Sequence, residues 1–302
     1  MADPVTLGKR VALVSVGVSA SLAVTKIIIG LMAGSTSVVA DGLESAGDVV
    51  ASGVVLFGFI IAGRPPDEKH PYGHGRYETL TGLIVGMILF AGGIGICYRS
   101  LQNVGAVHAP PALYGIWPLL ASMVLKAFLS AAKFRIGRRI FSSALIADGW
   151  NDFVDILSAA AAITALGLTI ADPSRFLAAD HYGGFAVGLI VMFTGIRVSK
   201  ETSDRLTDAM PERELVQQIR KAAKSVPGVK DVEKCFARNS GLKYYVDLHL
   251  EVDPEMSVKQ SHELATEVRF AIRHQLQWVA DVLVHVEPWT DAAEDSPLAN
   301  RK

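Results

Sequence analysis

The chain has 302 residues, half of them hydrophobic and 20% charged, with a formal net charge of −1. A positive mean hydropathy beside that many charges fits neither an ordinary soluble domain nor a bare membrane bundle, so a mixed membrane and soluble chain is expected. The charge balance says little about partners; Cys97 and Cys235, without CxxC spacing, give no support to a disulfide framework or thiolate cluster and read as buried or inert thiols.

Six apolar stretches, each near the ~20 residues a bilayer requires, are read at 11–33, 37–63, 79–101, 113–133, 141–171 and 182–200. The first follows a short polar segment and lacks a small-residue cleavage pattern, so it is expected to stay in the membrane. Within it, Lys26 either neutralises a carboxylate or snorkels to an interface. Basic residues cluster on one side: Lys9 and Arg10 before the first span, Arg64, Lys69 and Arg76 after the second, Lys133, Arg135, Arg138 and Arg139 after the fourth, Lys200 and Arg205 after the sixth. The segments 33–37 and 103–113 carry no Lys or Arg, and the third opposite loop has only Arg175. By the positive-inside rule both termini are expected in the cytoplasm.

Two spans carry acidic quartets: Glu44 and Asp48 in the second, Asn151 and Asp155 in the fifth. A charge at a helix centre costs roughly 2.5–3.5 kcal/mol on insertion scales, so such residues are usually tied to an ion, a proton or a substrate path. The i,i+4 spacing stacks two oxygen ligands on one helix face, and two such helices facing each other make a four-ligand cation site. Asp41 and Asp148 lie one turn before the quartets and are read as packing or outer-shell residues or as direct participants; Asp152, about 100° around the helix from Asn151, is read as solvated or part of a polar network. Between spans two and three, Asp67, His70 and His74 have the spacing of a compact metal site, with helix capping as the plainer reading.

After Ser199 charges return every few residues, which divides the chain into a membrane domain over 1–206, a soluble domain over 207–290 and a polar tail over 291–302, read as disordered. In the soluble domain the pattern predicts a helix over 211–226, strands over 229–238 and 243–252 joined by a turn at 239–241, a helix over 257–276 and a strand over 280–288. That order suits a small open sheet with helices on one face. Strict alternation puts Tyr244, Val246, Leu248, Leu250 and Val252 on one side of the second strand and Asp247, His249 and Glu251 on the other; His285 and Glu287 share a face of the third. His108, His181 and His274 have no sequence partners and read as surface residues.

The segments 41–48 (DGLESAGD), 67–78 (DEKHPYGHGRYE), 147–155 (ADGWNDFVD) and 226–229 (VPGV) resemble, in order, those of the cation diffusion facilitators, and the likeness runs from about Lys9 to Pro288. The resemblance implies a multi-pass protein of six transmembrane helices in a bacterial inner membrane, with a C-terminal α+β domain of ferredoxin-like or metallochaperone-like fold. It implies a homodimeric exporter of divalent transition metals driven by inward proton flow, a secondary transporter and not an enzyme, with lipid, metal ions and protons as partners and no resident cofactor beyond a regulatory metal. Carried over residue by residue, the transport site is Glu44, Asp48, Asn151 and Asp155; a loop site is Asp67, His70 and His74; and a soluble-domain site is Glu233, His249, His262, His285 and Glu287. Arg76 resembles a basic residue that pairs with an acid after the sixth span, Asp204 or Asp208, to latch the dimer.

The quartet departs from the zinc pattern because it holds no nitrogen or sulfur donor. Four oxygen ligands favour a hard cation such as Mn²⁺, with Fe²⁺ and Zn²⁺ behind it. Glu at 233 and 287 likewise departs from the zinc members' soluble site. Crowded carboxylates are expected to retain a proton without metal and to release it on metal entry. A hydrolase motif of the H-E-x-x-H type is absent, and the basic residues are committed to orientation, leaving no support for nucleic-acid binding. A passive channel and a homologue that senses or organises metal without transport stand as alternatives.

Overall fold

The computed structural model describes residues 3–32, 36–102, 116–171 and 179–290. The chain divides into two compact units, Met1–Leu206 and Thr207–Lys302. Among the described residues the first contains six long helices: α1 (Pro4–Met32), α2 (Thr36–Ala62), α3 (Arg76–Gln102), α4 (Ile116–Arg139), α5 (Ser143–Ala171) and α6 (Ala179–Leu206). Each overlaps one of the six apolar stretches, with several extending by a turn or more into polar sequence. Among the described residues, Pro4–Ile29, Ser45–Ala62 and Arg76–Tyr98 are long and apolar enough to cross a membrane.

Burial in this unit runs opposite to that of a soluble domain. Large apolar side chains such as Leu13, Ile28, Phe57, Phe128 and Phe193 face outward, while Ser15, Ser19, Ser52, Lys126 and Lys133 are inside. An outward apolar surface matches lipid, and an inward polar one can persist only with internal partners. Helix packing exploits small residues: a Cβ at Gly93 of α3 would lie 2.5 Å from the Met192 backbone nitrogen of α6, and one at Gly188 would lie 2.6 Å from Cys97 Sγ. Such close backbone approach gives dispersion contacts where lipid removes any hydrophobic drive between helices.

Glu78, in the first turn of α3, is fully buried and accepts hydrogen bonds from Ser142 Oγ (2.6 Å) and the Ala144 amide (2.7 Å). A carboxylate thereby satisfies a free N–H at the start of α5 and complements its dipole. Arg205 near the end of α6 donates to the Phe141 carbonyl (3.1 Å) in the tight α4–α5 turn, where Phe141 has a φ of 57°. These contacts fix the entry of α5, the helix that carries the second quartet.

The second unit runs α7 (Arg213–Lys224), β1 (Asp231–Ser240), β2 (Lys243–Val252), α8 (Val258–Gln275) and β3 (Val279–Pro288). The sheet order is β1-β2-β3, with β1 and β2 antiparallel and β2 and β3 parallel, so α8 is the crossover that parallel pairing requires. Ile219, Val246, Leu248, Leu250, Val268 and Ile272 form the core between the helices and one sheet face. Ser257 and Gln260 make a reciprocal capping box at the start of α8. The first strand ends two residues later than its pattern predicts. Asn239 bonds across the turn to Gly241 O (2.9 Å) and from Gly241 N (3.1 Å), so the ladder continues to the Ser240–Lys243 pair and the turn narrows to Gly241 and Leu242, with Gly241 at φ 72°. The tail over 291–302, His108 and Arg175 lie outside the described residues.

Candidate metal-binding sites

The membrane unit encloses one connected polar cluster drawn from three helices. The α2 face supplies Asp48 and Ser52, the α5 face supplies Asp148, Asn151, Asp152 and Asp155, and α4 supplies Lys126 and Lys133. Asn151 Nδ2 donates to Asp48 Oδ1 (2.9 Å), which ties the two quartets together and leaves the amide oxygen of Asn151 as its ligating atom. The Lys126 ammonium contacts Asp48 Oδ2 (2.9 Å), Asp152 Oδ1 (2.9 Å) and Asp155 Oδ2 (2.7 Å). Lys133 Nζ lies 2.7 Å from Asp148 Oδ2 and 2.5 Å from Asp152 Oδ2. Ser52 donates to Asp148 (2.9 Å to Oδ1) and is 2.9 Å from Ser15 Oγ, carrying the network to α1.

Asp48, Asn151 and Asp155 are thus brought together; Glu44 and Asp41 lie on α2 with side chains outside the described residues. Asp148, one turn before Asn151 on α5, is held by Lys133 and Ser52. Asp152 is not solvated: it is fully buried and bridges both lysines. Lys133 is not a loop residue, because α4 continues through Arg139 and buries the ammonium completely. The Lys126 ammonium brings a positive charge to the crowded pair Asp48 and Asp155.

Lys126 belongs to none of the motifs that mark the site in the sequence. The available signal was a stripe on α4, where Ser122, Lys126, Ser130 and Lys133 recur at helical spacing and are all buried. Lys26, by contrast, donates to Ser45 Oγ (3.0 Å) and is buried, so it does not snorkel.

In the segment between α2 and α3, Asp67, His70 and His74 have ligand atoms within 4.8 Å of one another. His70 Nδ1 is 3.0 Å from Asp67 Oδ1 and His74 Nε2 is 3.3 Å from Asp67 Oδ2. The His70 backbone N–H (2.7 Å to Oδ1), followed by that ring, holds the Asp67 carboxyl below its usual range, so it is anionic at neutral pH. Buried His74 beside exposed Asp67 completes a partly exposed group of three ligand atoms that could hold a divalent cation.

In the second unit, β2 and β3 pair His249 with His285 and Glu251 with Glu287, which puts the ligand types on the sheet face away from the core. His249 Nδ1 is 2.6 Å and His285 Nε2 3.4 Å from Glu287 Oε1. A hydrogen bond with Glu287, then one with Lys234, lowers the Glu233 carboxyl, which joins Glu233 to this group. Desolvation and the neighbouring acids Asp231, Glu233 and Glu287 push Glu251 up, the mark of a locally negative patch. His262 stands apart, exposed on α8, and is not among the clustered ligands. His274 is exposed, as read. Arg76, Asp204 and Asp208 are exposed at the start of α3, in the last turn of α6 and just beyond it.

An apolar outer surface around a buried acidic cluster defines a membrane protein that handles cations. Comparison with known proteins narrows this. The cation efflux transmembrane domain matches residues 12–207, and the cation efflux protein cytoplasmic domain matches 211–289. The chain therefore belongs to the cation efflux family, the cation diffusion facilitators, and is a cation efflux transporter with a helical transmembrane domain and a C-terminal α+β domain. It is 31% identical over 297 residues to Metal tolerance protein C1 of Arabidopsis thaliana, covering 93% of this chain and 62% of that protein. It is 30% identical over 287 residues to Manganese efflux system protein MneP of Bacillus subtilis, covering 94% of this chain and 97% of that one. Among solved structures, MamM-CTD H285A is 34% identical over 26% of this chain and 100% of its own, with a TM-score of 0.25.

Proposed function

We propose that the chain exports Mn²⁺ in exchange for protons, by alternating access around a site made of Asp48, Asn151, Asp155 and Glu44. The observation that carries this is the Asn151–Asp48 bond, which joins the two quartets from α2 and α5 within a buried cluster beside Asp155. The described ligands are oxygens, which favours a hard divalent ion over zinc, and the relative MneP is named for manganese efflux. Fe²⁺ and Zn²⁺ are the competing cargoes.

Metal enters when the site opens to the cytoplasm, and protons reach the same carboxylates when it opens outward, so one site serves both and exchange follows. The six helices cross a bacterial inner membrane with both termini cytoplasmic. The C-terminal domains of two copies meet, with Arg76 and Asp204 or Asp208 latching the dimer. The His249–His285–Glu287 group, with Glu233, binds cytoplasmic metal and draws the two domains together, while Asp67, His70 and His74 hold a further ion.

The test is flux into sealed vesicles carrying purified protein, comparing Mn²⁺, Fe²⁺, Zn²⁺ and Ca²⁺ with and without a pH gradient, alongside Asp155→Ala. Saturable Mn²⁺ uptake that follows the gradient and is lost in the variant supports the reading. Preferential Zn²⁺ flux overturns the metal assignment, and no flux of any ion leaves a sensing role in its place.

A further inference from the structure

We infer that Lys126 is a tethered cation that occupies the transport site in the metal-free state and sets its affinity by competing with the arriving ion. The inference rests on the assignment of Asp48 and Asp155 as ligands. A lysine on the third helix of the cluster reaches into their midst, 1% exposed, and places its ammonium 2.9 Å from Asp48 and 2.7 Å from Asp155. Those oxygens cannot complete the shell of a metal ion while they hold the ammonium at bonding distance. Mn²⁺, with two charges, can take both carboxylates from a singly charged competitor.

The structure also shows where the displaced group goes. Lys126 has a third partner, Asp152 Oδ1 at 2.9 Å, which is not one of the proposed ligands. The other oxygen of Asp152 is fixed by Lys133, itself held by Asp148. A flexible four-carbon stem can release Asp48 and Asp155 and keep Asp152, so the ammonium need not be stranded in a dry interior. Charge favours the exchange. Among the described residues the cluster holds four carboxylates (Asp48, Asp148, Asp152 and Asp155) and two ammonium groups, a formal −2, and the proposed ligand Glu44 adds one more negative charge, so the site stays attractive to a divalent ion with Lys126 in place. Without Lys126 the same cluster is a deeper negative well: it would bind metal more tightly and surrender it more slowly, which for a carrier exchanges turnover for affinity.

The experiment measures Mn²⁺ binding by equilibrium dialysis on the purified full-length protein in detergent, for wild type, Asp155→Asn, Lys126→Gln, Lys126→Arg and the charge-paired Lys126→Gln/Asp152→Asn. The binding step that disappears in Asp155→Asn defines the transport site, and if no step disappears the ligand assignment itself fails, whatever Lys126 does. With that step in hand, Lys126→Gln is expected to tighten it by at least about tenfold, the low end for couplings between close charge pairs. Lys126→Arg, which keeps the charge, is expected to stay within a few-fold of wild type. The paired variant is expected to tighten as well and serves if removal of the lysine alone prevents folding. Vesicle uptake of Mn²⁺ by the tight-binding variant should show a lower KM together with a lower maximal rate. Unchanged or weaker binding in both neutral variants, or tightening in Lys126→Arg equal to that in Lys126→Gln, overturns the inference.

Discussion

Lys133 offers the sharpest test of the buried ion network, because its ammonium has no exposed surface and contacts two carboxylates that are themselves fully buried. Lys133→Met keeps much of the side-chain volume and removes the charge. Asp148 is left with Ser52 at 2.9 Å and Asp152 with Lys126 at 2.9 Å, so each acid retains one partner and loses its shortest contact. Breaking one side of a buried ion pair typically costs about 3–5 kcal/mol, since the remaining charge stays desolvated. For a unit of this size each kcal/mol moves the midpoint by about 2–4 °C, giving an expected fall of about 6–20 °C.

The assay is thermal unfolding in detergent followed by tryptophan fluorescence, with Trp150 packed edge-on against Phe134 beside this network as an intrinsic probe. The paired replacement Lys133→Met/Asp148→Asn separates two explanations. If the loss in the single variant comes from an unpaired buried carboxylate, neutralising Asp148 should recover most of it, because replacing both partners is often neutral. A midpoint within 2 °C of wild type for Lys133→Met, or no recovery in the double variant, would refute the network as drawn.

Gly93→Val should destabilise the membrane unit by about 1–3 kcal/mol and lower its melting midpoint, because its side chain would push on the Met192 backbone of α6; an unchanged midpoint in the same melt would count against the close α3–α6 approach. In the second unit, desolvation raises the Asp281 carboxyl, but bidentate bonds from Arg269 (2.7 Å each) and the Val282 amide outweigh it and hold it below its usual value. The stabilisation is therefore present above the unfolded carboxylate pKa of about 3.9 and lost as pH falls through the lower folded value. Hydrogen exchange of β3 should distinguish Asp281→Asn from wild type at pH 7 and much less at pH 3, and an equal difference at both would contradict the linkage. Burial raises the Cys235 thiol to about 11, so the native chain should resist iodoacetamide at that residue at pH 8 and react once unfolded; stoichiometric native labelling would contradict this.

Much of the soluble domain was legible in its residues, because a half-buried strand writes its two faces alternately. Val246, Leu248 and Leu250 are buried, and His249 and Glu251 face away from the core, as the period of two requires. Strand ends were less legible. Asn239 closes the β1–β2 turn through its own side chain, a contact that composition marks as a turn signal without saying on which residue the ladder stops. His262, placed in the same site by resemblance, lies exposed on α8, while the strand register alone brings His249, His285 and Glu287 together.

The membrane unit hides its lysines for a different reason. In a bilayer the inward face is the polar one, so a buried cation leaves the same trace in sequence as a basic residue at a helix end. On that ground Lys133 reads from sequence as a residue following the fourth span, and Lys126 carries no mark in its apolar run. The face that both share with Ser122 and Ser130 separates the two cases, because a residue serving topology alone has no reason to repeat with helical period over three turns. Acids on α5 recur in the same way, at Asp148, Asp152 and Asp155. Where one span carries a polar stripe of one sign and its neighbour in sequence carries the other, the two stripes must face each other, since neither can remain unpaired in a low-dielectric interior.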